Sequence, residues 1–341
     1  MKRLAQRPLF WPSATLALLI VVSAIFHPGF LALSWQDGHL FGNLVDILNR
    51  AAPLIVVSLG MTLVIAVRGL DISVGAVMAI TAVVAALMVG GSFSAEGEAA
   101  SEHPLWLSLA TALAVSAACG LWNGLLVVKA GMQPIIATLI LMVAGRGIAQ
   151  LLTGGQIITV YYPPFFILGN GHWAGLPVAL WVAALLWLML QLALSRTALG
   201  LFIRAIGGNP EAARVAGVRA GAITLWMYTF CGLAAGIAGL IVSSNVKSAD
   251  ANNAGQLLEL DAILAVTLGG TALTGGRFTL AGSVLGALII QTLTSMIYSL
   301  GVPPEVNLVV KAVLVFAVML LQSGEFRALF VRLARRGDAA R

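Results

Sequence analysis

Runs of about twenty apolar residues recur along this 341-residue chain, each closed by a short polar or Gly/Pro-containing break. A helix of that length crosses the ~30 Å hydrocarbon core of a bilayer, so the runs mark candidate membrane spans. Ten emerge, at residues 12–33, 51–67, 74–92, 105–128, 133–152, 176–194, 221–243, 261–275, 279–299 and 307–322. With 60% of its residues apolar and 9% charged, the chain could not present a water-facing surface of ordinary polarity. The expected fold is all-α, a polytopic membrane protein of about ten transmembrane helices. Its 37 glycines fit a bilayer, where small residues let helices approach and let broken backbone line a cavity.

The distribution of Lys and Arg sets the expected orientation, because cytoplasmic segments retain positive charge. With the N-terminus inside, fifteen of the nineteen cationic residues fall on the inner side, from Lys2, Arg3 and Arg7 through Arg68, Lys129, Arg196, Arg204, Arg214, Arg219 and Arg277 to the tail. The outer loops then keep Arg50 and Lys247 and most of the acids, including Glu96, Glu98 and Glu102. The expected organisation is N-in/C-in: a cytoplasmic segment 1–11, a transmembrane domain 12–322 with a cytoplasmic loop 195–220, and a basic cytoplasmic tail 323–341. The basic start before the apolar run 14–26 imitates a secretory signal, but the later spans favour a retained anchor helix. The dispersed cations give no nucleic-acid surface, and the two cysteines and four histidines have neither disulfide nor metal-ligand spacing.

The loop 195–220 carries the clearest local signal. Asn209 suits a helix N-cap, Pro210 the first helical position and Glu211 the positive end of the dipole, so residues 211–216 should form a short helix stopped by Gly217. Flanking glycines make it a protrusion fit for a partner's groove. The bland alternative is an ordinary amphipathic surface loop.

Several polar residues interrupt the apolar runs. Asp71 stands beside Arg68 and Gly69 where the backbone should break, and its carboxylate can accept from freed amides. A structural or gating role, with Ser73 and Gly75 shaping the turn, and contact with a solute are both open. Arg146 sits too deep in the fifth span for a routine interfacial charge, with Gln150 one turn on along the same face. The pair offers donors and an acceptor to hydroxyls; Arg146 could instead cap broken-helix carbonyls or pair with Asp261. Lys311 reads as a snorkelling anchor. Asn252, Asn253, Glu259 and Asp261 form a polar mouth to receive a solute or dock a partner, unless they are simply the polarity of an outer loop. Trp122 reads as an interfacial anchor, and Asn123 stays open.

Glu211-Ala212-Ala213 followed by Gly217 resembles the E-A-A-x-x-x-G pattern of ATP-binding-cassette importer permeases. R-G-L-D-I-S-V-G at 68–75, N-G at 123–124 with P-I-I-A-T-L at 134–139, and E-L-D-A-I-L-A-V-T-L-G-G-T-A-L-T-G-G at 259–276 resemble the ribose/xylose/galactose type over roughly residues 45–320. D-A-N-N-A-G at 250–255 and M-V-A-G-R-G at 142–147 are similar to the galactofuranose-type branch. The resemblance implies a bacterial inner-membrane permease working as a homo- or heterodimer, with a cytoplasmic ATPase and a periplasmic sugar-binding protein. Glu211, Ala212, Ala213 and Gly217 would couple it to the ATPase. No G-x-x-x-x-G-K-[ST] loop occurs here, so ATP and magnesium would be held by the partner and no cofactor by this chain. The chain is then not an enzyme. A rival, an ion-coupled secondary transporter, needs a titratable carboxylate near midplane, whereas the acids fall in loops or near span ends.

Overall fold

The computed structural model describes residues 9–27, 29–36, 38–93, 103–299, 301 and 304–322. The basic start with Lys2, Arg3 and Arg7, the loop acids Glu96, Glu98 and Glu102, and the tail 323–341 lie outside the described residues. The described helices are α1 (Phe10–Phe26), α2 (Asn43–Ala66), α3 (Val74–Met88), α4 (Leu105–Val128), α5 (Pro134–Thr153), α6 (Ile167–Asn170), α7 (Val178–Arg196), α8 (Leu199–Gly208), α9 (Pro210–Val215), α10 (Ala220–Val246), α11 (Leu258–Leu268), α12 (Leu280–Ser299) and α13 (Pro304–Gln322). Six of them, α2, α4, α5, α7, α10 and α12, are long and apolar enough to cross a membrane.

The protein is predominantly helical, with small antiparallel ribbons in its connections. β1 (Ser34–Gln36) pairs with β2 (His39–Phe41), and β4 (His172–Trp173) with β5 (Leu176–Pro177). β3 (Ile157–Thr159) pairs with β6 (Ser248–Asp250), joining the ends of α5 and α10. These elements gather at one end of the bundle: Leu40 N–H donates to the Gly175 carbonyl at 3.0 Å, and Ser92 bridges to Thr159. The opposite end carries α8 and α9, where Gly276 N–H donates to the Ala66 carbonyl at 3.0 Å.

Three expected spans have clearly different ends. The first, expected to reach residue 33, is α1 and stops at Phe26. α2 begins at Asn43 rather than near residue 51, so Arg50 belongs to a helix and not to an outer loop. Its first two turns are polar enough to escape an apolar window, yet Asp46 in the first turn complements the dipole. The span expected at 261–275 is the eleven-residue α11, ending at Leu268. Beyond it the chain turns back through Gly275 and Gly276, at φ 85° and 81°, a left-handed conformation that residues with a Cβ rarely adopt.

α2 is the axis of the core. In its most apolar 18-residue stretch 83% of residues are buried, against 11% for α7, so the rest of the chain wraps α2 while α7 faces outward. Packing around this axis relies on small residues. Gly60 of α2 meets Cys231 and Ala234 of α10, Gly120 of α4 meets Gly232 of α10, and Gly286 of α12 lies on the Ala265 carbonyl of α11. In lipid, where apolar side chains gain nothing by leaving solvent, this close van der Waals approach is what holds helices together.

A Cβ at Gly286 would stand 1.8 Å from the Ala265 carbonyl oxygen, whereas one at Gly147 would meet nothing within 4 Å. Gly286→Val is therefore expected to cost about 1–3 kcal/mol through forced separation of α11 and α12. Thermal unfolding in detergent should show a lowered midpoint for it and an unchanged one for Gly147→Ala.

Candidate functional site

The break between α2 and α3 is built from its own polar residues. Arg68 takes a left-handed conformation (φ 66°), ending α2 with Gly69 N–H donating to the Val64 carbonyl at 2.9 Å. Gly69 lies so close to Tyr228 that a Cβ would come within 2.6 Å of its hydroxyl oxygen. One oxygen of Asp71 accepts from Ser73 N–H at 3.0 Å, Ser73 Oγ at 2.7 Å and Asn123 Nδ2 at 3.3 Å. Asn123 Nδ2 also donates to Ser73 Oγ at 2.8 Å, Thr138 Oγ1 of α5 accepts from Ile72 N–H at 3.3 Å, and the Tyr228 hydroxyl donates to the Leu70 carbonyl at 3.3 Å. Asp71 is 1% exposed. In this conformation its carboxylate braces α3, α4 and the break against one another and is shut off from any solute.

A second cluster lies toward the ribbon end. Arg146 Nη1 donates to the carbonyls of Ala251 at 3.0 Å and Ala254 at 2.7 Å. Gln150 Nε2 donates to Asn252 Oδ1 at 2.8 Å, and Asn252 Nδ2 to the Gly155 carbonyl at 3.3 Å. Burial works against ionisation of Asp250, but hydrogen bonds from the Asn253 side chain and the Asn252 and Asn253 amides, with the Arg146 charge, outweigh it and hold its carboxyl below the usual carboxylate range. Arg146, Gln150, Asn252 and Asn253 thus come together around the turns at 251–257. Asp261 does not join them. Its partner is Lys311 of α13, at 2.5 Å, so the alternative pairing of Arg146 with Asp261 is corrected, as is the reading of Lys311 as a free anchor. The Lys311 side chain is only 15% exposed, and a charge that enclosed needs a counter-ion. Asn123 stands apart from both, in the Asp71 brace, while its neighbour Trp122 is exposed.

The third feature is the protrusion at the opposite end. Asn209 Oδ1 accepts from the amides of Glu211 and Ala212, both at 3.1 Å, and Pro210 opens α9. The helix closes with Gly217 at φ 84°, its N–H on the Arg214 carbonyl and Val218 N–H on the Ala213 carbonyl, each at 3.0 Å. Glu211 pairs with Arg214 at 3.1 Å on the exposed face, Ala213 turns inward, and Val215 is 84% exposed.

Arg68 ties this protrusion to the first cluster. Its Nε donates to the Gly207 carbonyl at 2.8 Å and its Nη2 to the Gly208 carbonyl at 2.5 Å, capping the last turn of α8 immediately before Asn209. Gly207 itself is wedged between the Ala66 carbonyl and Gly276, where a Cβ would stand 2.0 Å and 2.2 Å from backbone atoms. Sequence reading counted Arg68 as an inner-face charge and missed the clasp. The signal available was the pair Gly207-Gly208 directly before the Asn-Pro cap. Among the described residues no group of three His, Cys, Asp or Glu stands in position to hold a metal.

Residues 43–319 match the family model for the branched-chain amino acid transport system / permease component, and the chain belongs to that family. It is 47% identical over 329 residues to the galactofuranose transporter permease protein YtfT of Escherichia coli K12, covering 95% of this chain and 94% of that one. It is 37% identical to the fructose import permease protein FruF of Bifidobacterium longum, over 98% and 93% of the two chains. Against the ribose import permease protein RbsC of E. coli K12 it is 35% identical, over 91% and 92%. No solved structure matches it. The chain is thus a multi-pass membrane permease component of the ribose/xylose/galactose importer type, a transport subunit and not an enzyme.

Replacing Arg146 by Ala leaves the carbonyls of Ala251 and Ala254 without their donor, at a local cost of about 1–3 kcal/mol. Amide hydrogen exchange should accelerate in 249–257 and stay unchanged in α2; equal protection of 249–257 in variant and parent would refute the capping role.

Proposed function

We propose that this chain imports a monosaccharide, a pentose or hexose with galactofuranose the first candidate, as one of two permease subunits of an inner-membrane importer driven by a separate ATPase. The name of the 47% identical relative supports that sugar. The arrangement takes ten membrane spans, α1 to α5, α7 and α10 to α13, with both ends of the chain cytoplasmic. Helices α4, α5 and α7 leave most of their apolar surface uncovered by the rest of the chain, which suits lipid and a second permease subunit. A periplasmic binding protein would deliver the sugar at the ribbon end. ATP and magnesium would be bound by the ATPase alone.

The observation that carries the mechanism is the path from α9 to the α2–α3 break. α9 is capped at both ends by its own residues and stands out from the bundle, so an ATPase gripping it moves it as a rigid body. The clasp of Arg68 on Gly207 and Gly208 then passes that movement to the end of α2, three residues from Asp71. From there the Ser73, Asn123 and Thr138 contacts reach α3, α4 and α5. Glu211, Ala212, Ala213 and Gly217 form the grip in this reading, and Asp71 with Asn123 the joint it turns. Arg146, Gln150, Asn252 and Asn253 edge the path at the arrival side, with Asp261 locked to α13.

Proteoliposomes holding the permease, its ATPase and the binding protein test this. Arg68→Ala and Gly217→Val should each keep ATP hydrolysis and lose sugar uptake by about tenfold or more, the second because a β-branched residue cannot hold φ 84° without strain. Coupled uptake at the parental rate in both variants would overturn the assignment. Uptake that follows an imposed proton gradient and ignores ATP would overturn the importer class.

A further inference from the structure

α1, α2 and α12 enclose a cavity of about 480 Å³ that belongs to none of the clusters above. It lies at the end of the bundle opposite α9. α2 runs from Asn43 at the cavity to Ala66 beside Gly276, and α12 runs back from just beyond Gly276 to Ser299 at the cavity. Asn43, Asp46 and Arg50 of α2 face Gln291, Ser295 and Tyr298 of α12 across it.

Asp46 and Arg50 are one helical turn apart in the order that favours an ion pair on a helix surface. They do not form one; the ion pairs among the described residues are Glu211 with Arg214 and Asp261 with Lys311. No side-chain hydrogen bond within the described protein engages any of these six groups either. The cavity is thus an accessible cleft lined by a carboxylate, a guanidinium, two amides and two hydroxyls that no protein group occupies, with Asn43, Asp46, Arg50 and Tyr298 exposed to an incoming molecule.

We propose that this cavity is a receiving site for a neutral polyhydroxyl molecule of monosaccharide size. A sugar hydroxyl both donates and accepts, and vicinal hydroxyls match a carboxylate or a guanidinium in bidentate fashion. Asp46 and Arg50 together leave this face of the lining without net charge, which suits a neutral ligand. The volume falls within the ~300–1,000 Å³ of ordinary small-molecule sites, and the Tyr298 ring and Ile47 supply the apolar flank that a sugar's C–H face requires. The site would hold cargo released by the binding protein before it enters the path, which rests on the reading of this chain as a sugar permease. Hydropathy alone places Arg50 in a loop, whereas the helix Asn43–Ala66 brings it one turn from Asp46.

The test uses the intact permease–ATPase complex in lipid nanodiscs without nucleotide or binding protein, probed by saturation-transfer NMR with D-galactose, D-ribose and L-leucine. Sugar signals are expected for the parent, weakened about tenfold in Asp46→Asn and in Gln291→Leu, with leucine silent. Ser295→Trp fills the cavity and should abolish the signals; for each variant, elution and melting like the parent's establish folding. Absence of sugar signal in the parent, equal signals in folded variants, or a leucine signal stronger than the sugars' would overturn the proposal. Uptake by the complete system separates the two readings. Parental uptake of sugar that the three folded variants leave unaltered defeats the cavity alone, whereas a parent that imports no monosaccharide defeats the permease reading and the cavity with it.

Discussion

Backbone amides and carbonyls inside a bilayer have no water to turn to, and each one left bare costs several kcal/mol. A chain that interrupts its helices where water is scarce must supply the missing partners itself. This molecule breaks at 67–73, at 251–257 and at 269–279. The first break is answered by Asp71, Thr138 and Tyr228, and the second by Arg146 and the Asp250 carboxylate. At the third, Gly276 and the Ala66 carbonyl satisfy each other, beside the end of α8 that Arg68 caps. Asp71, Arg68 and Asp250 thus stand where helices stop, and Arg146, Thr138 and Tyr228 reach those breaks from within neighbouring helices.

The same constraint explains the glycines. Where backbone must be partnered by backbone from another segment, the segments have to touch, and only residues without bulk allow it. Gly207, Gly276 and the end of α2 meet in this way, as do Gly269 with Gly282 and Gly286 with Ala265. Close contact and polar satisfaction are therefore one design in this protein. The outward surfaces of α4, α5 and α7 obey the opposite rule, carrying apolar side chains that the rest of the chain leaves mostly uncovered.

Much of this was legible before any coordinates. Span positions follow from apolar length, and Asn209, Pro210 and Gly217 announce α9 because capping is local chemistry. The helix ends were harder. Asn43 to Arg50 looks like a loop when only hydropathy is weighed, and 269–275 looks like helix because its glycines and threonines are not charged. Pairings between distant residues were out of reach. That Arg146 should choose the carbonyls of 251 and 254, that Lys311 should take Asp261, and that Arg68 should hold α8 depend on which helices are neighbours, a matter of three-dimensional packing. Motif resemblance marked Asp71 and Glu211 as belonging to one family pattern; it gave no sign that Arg68 stands between them.

The ribbon of β3 with β6, and the bridge from Ser92 to Thr159 beside it, have a mechanical consequence. They stitch together the far ends of α3, α5 and α10 by backbone pairing, while at the other end the chain entering α3 is hydrogen-bonded to α5 through the Thr138 side chain. Stitched at one end and free to shear at the other, the three behave like the ribs of a folding fan, able to spread only about the sewn edge. Separation of the three is therefore most restrained at the ribbon end and least at the end that carries α9.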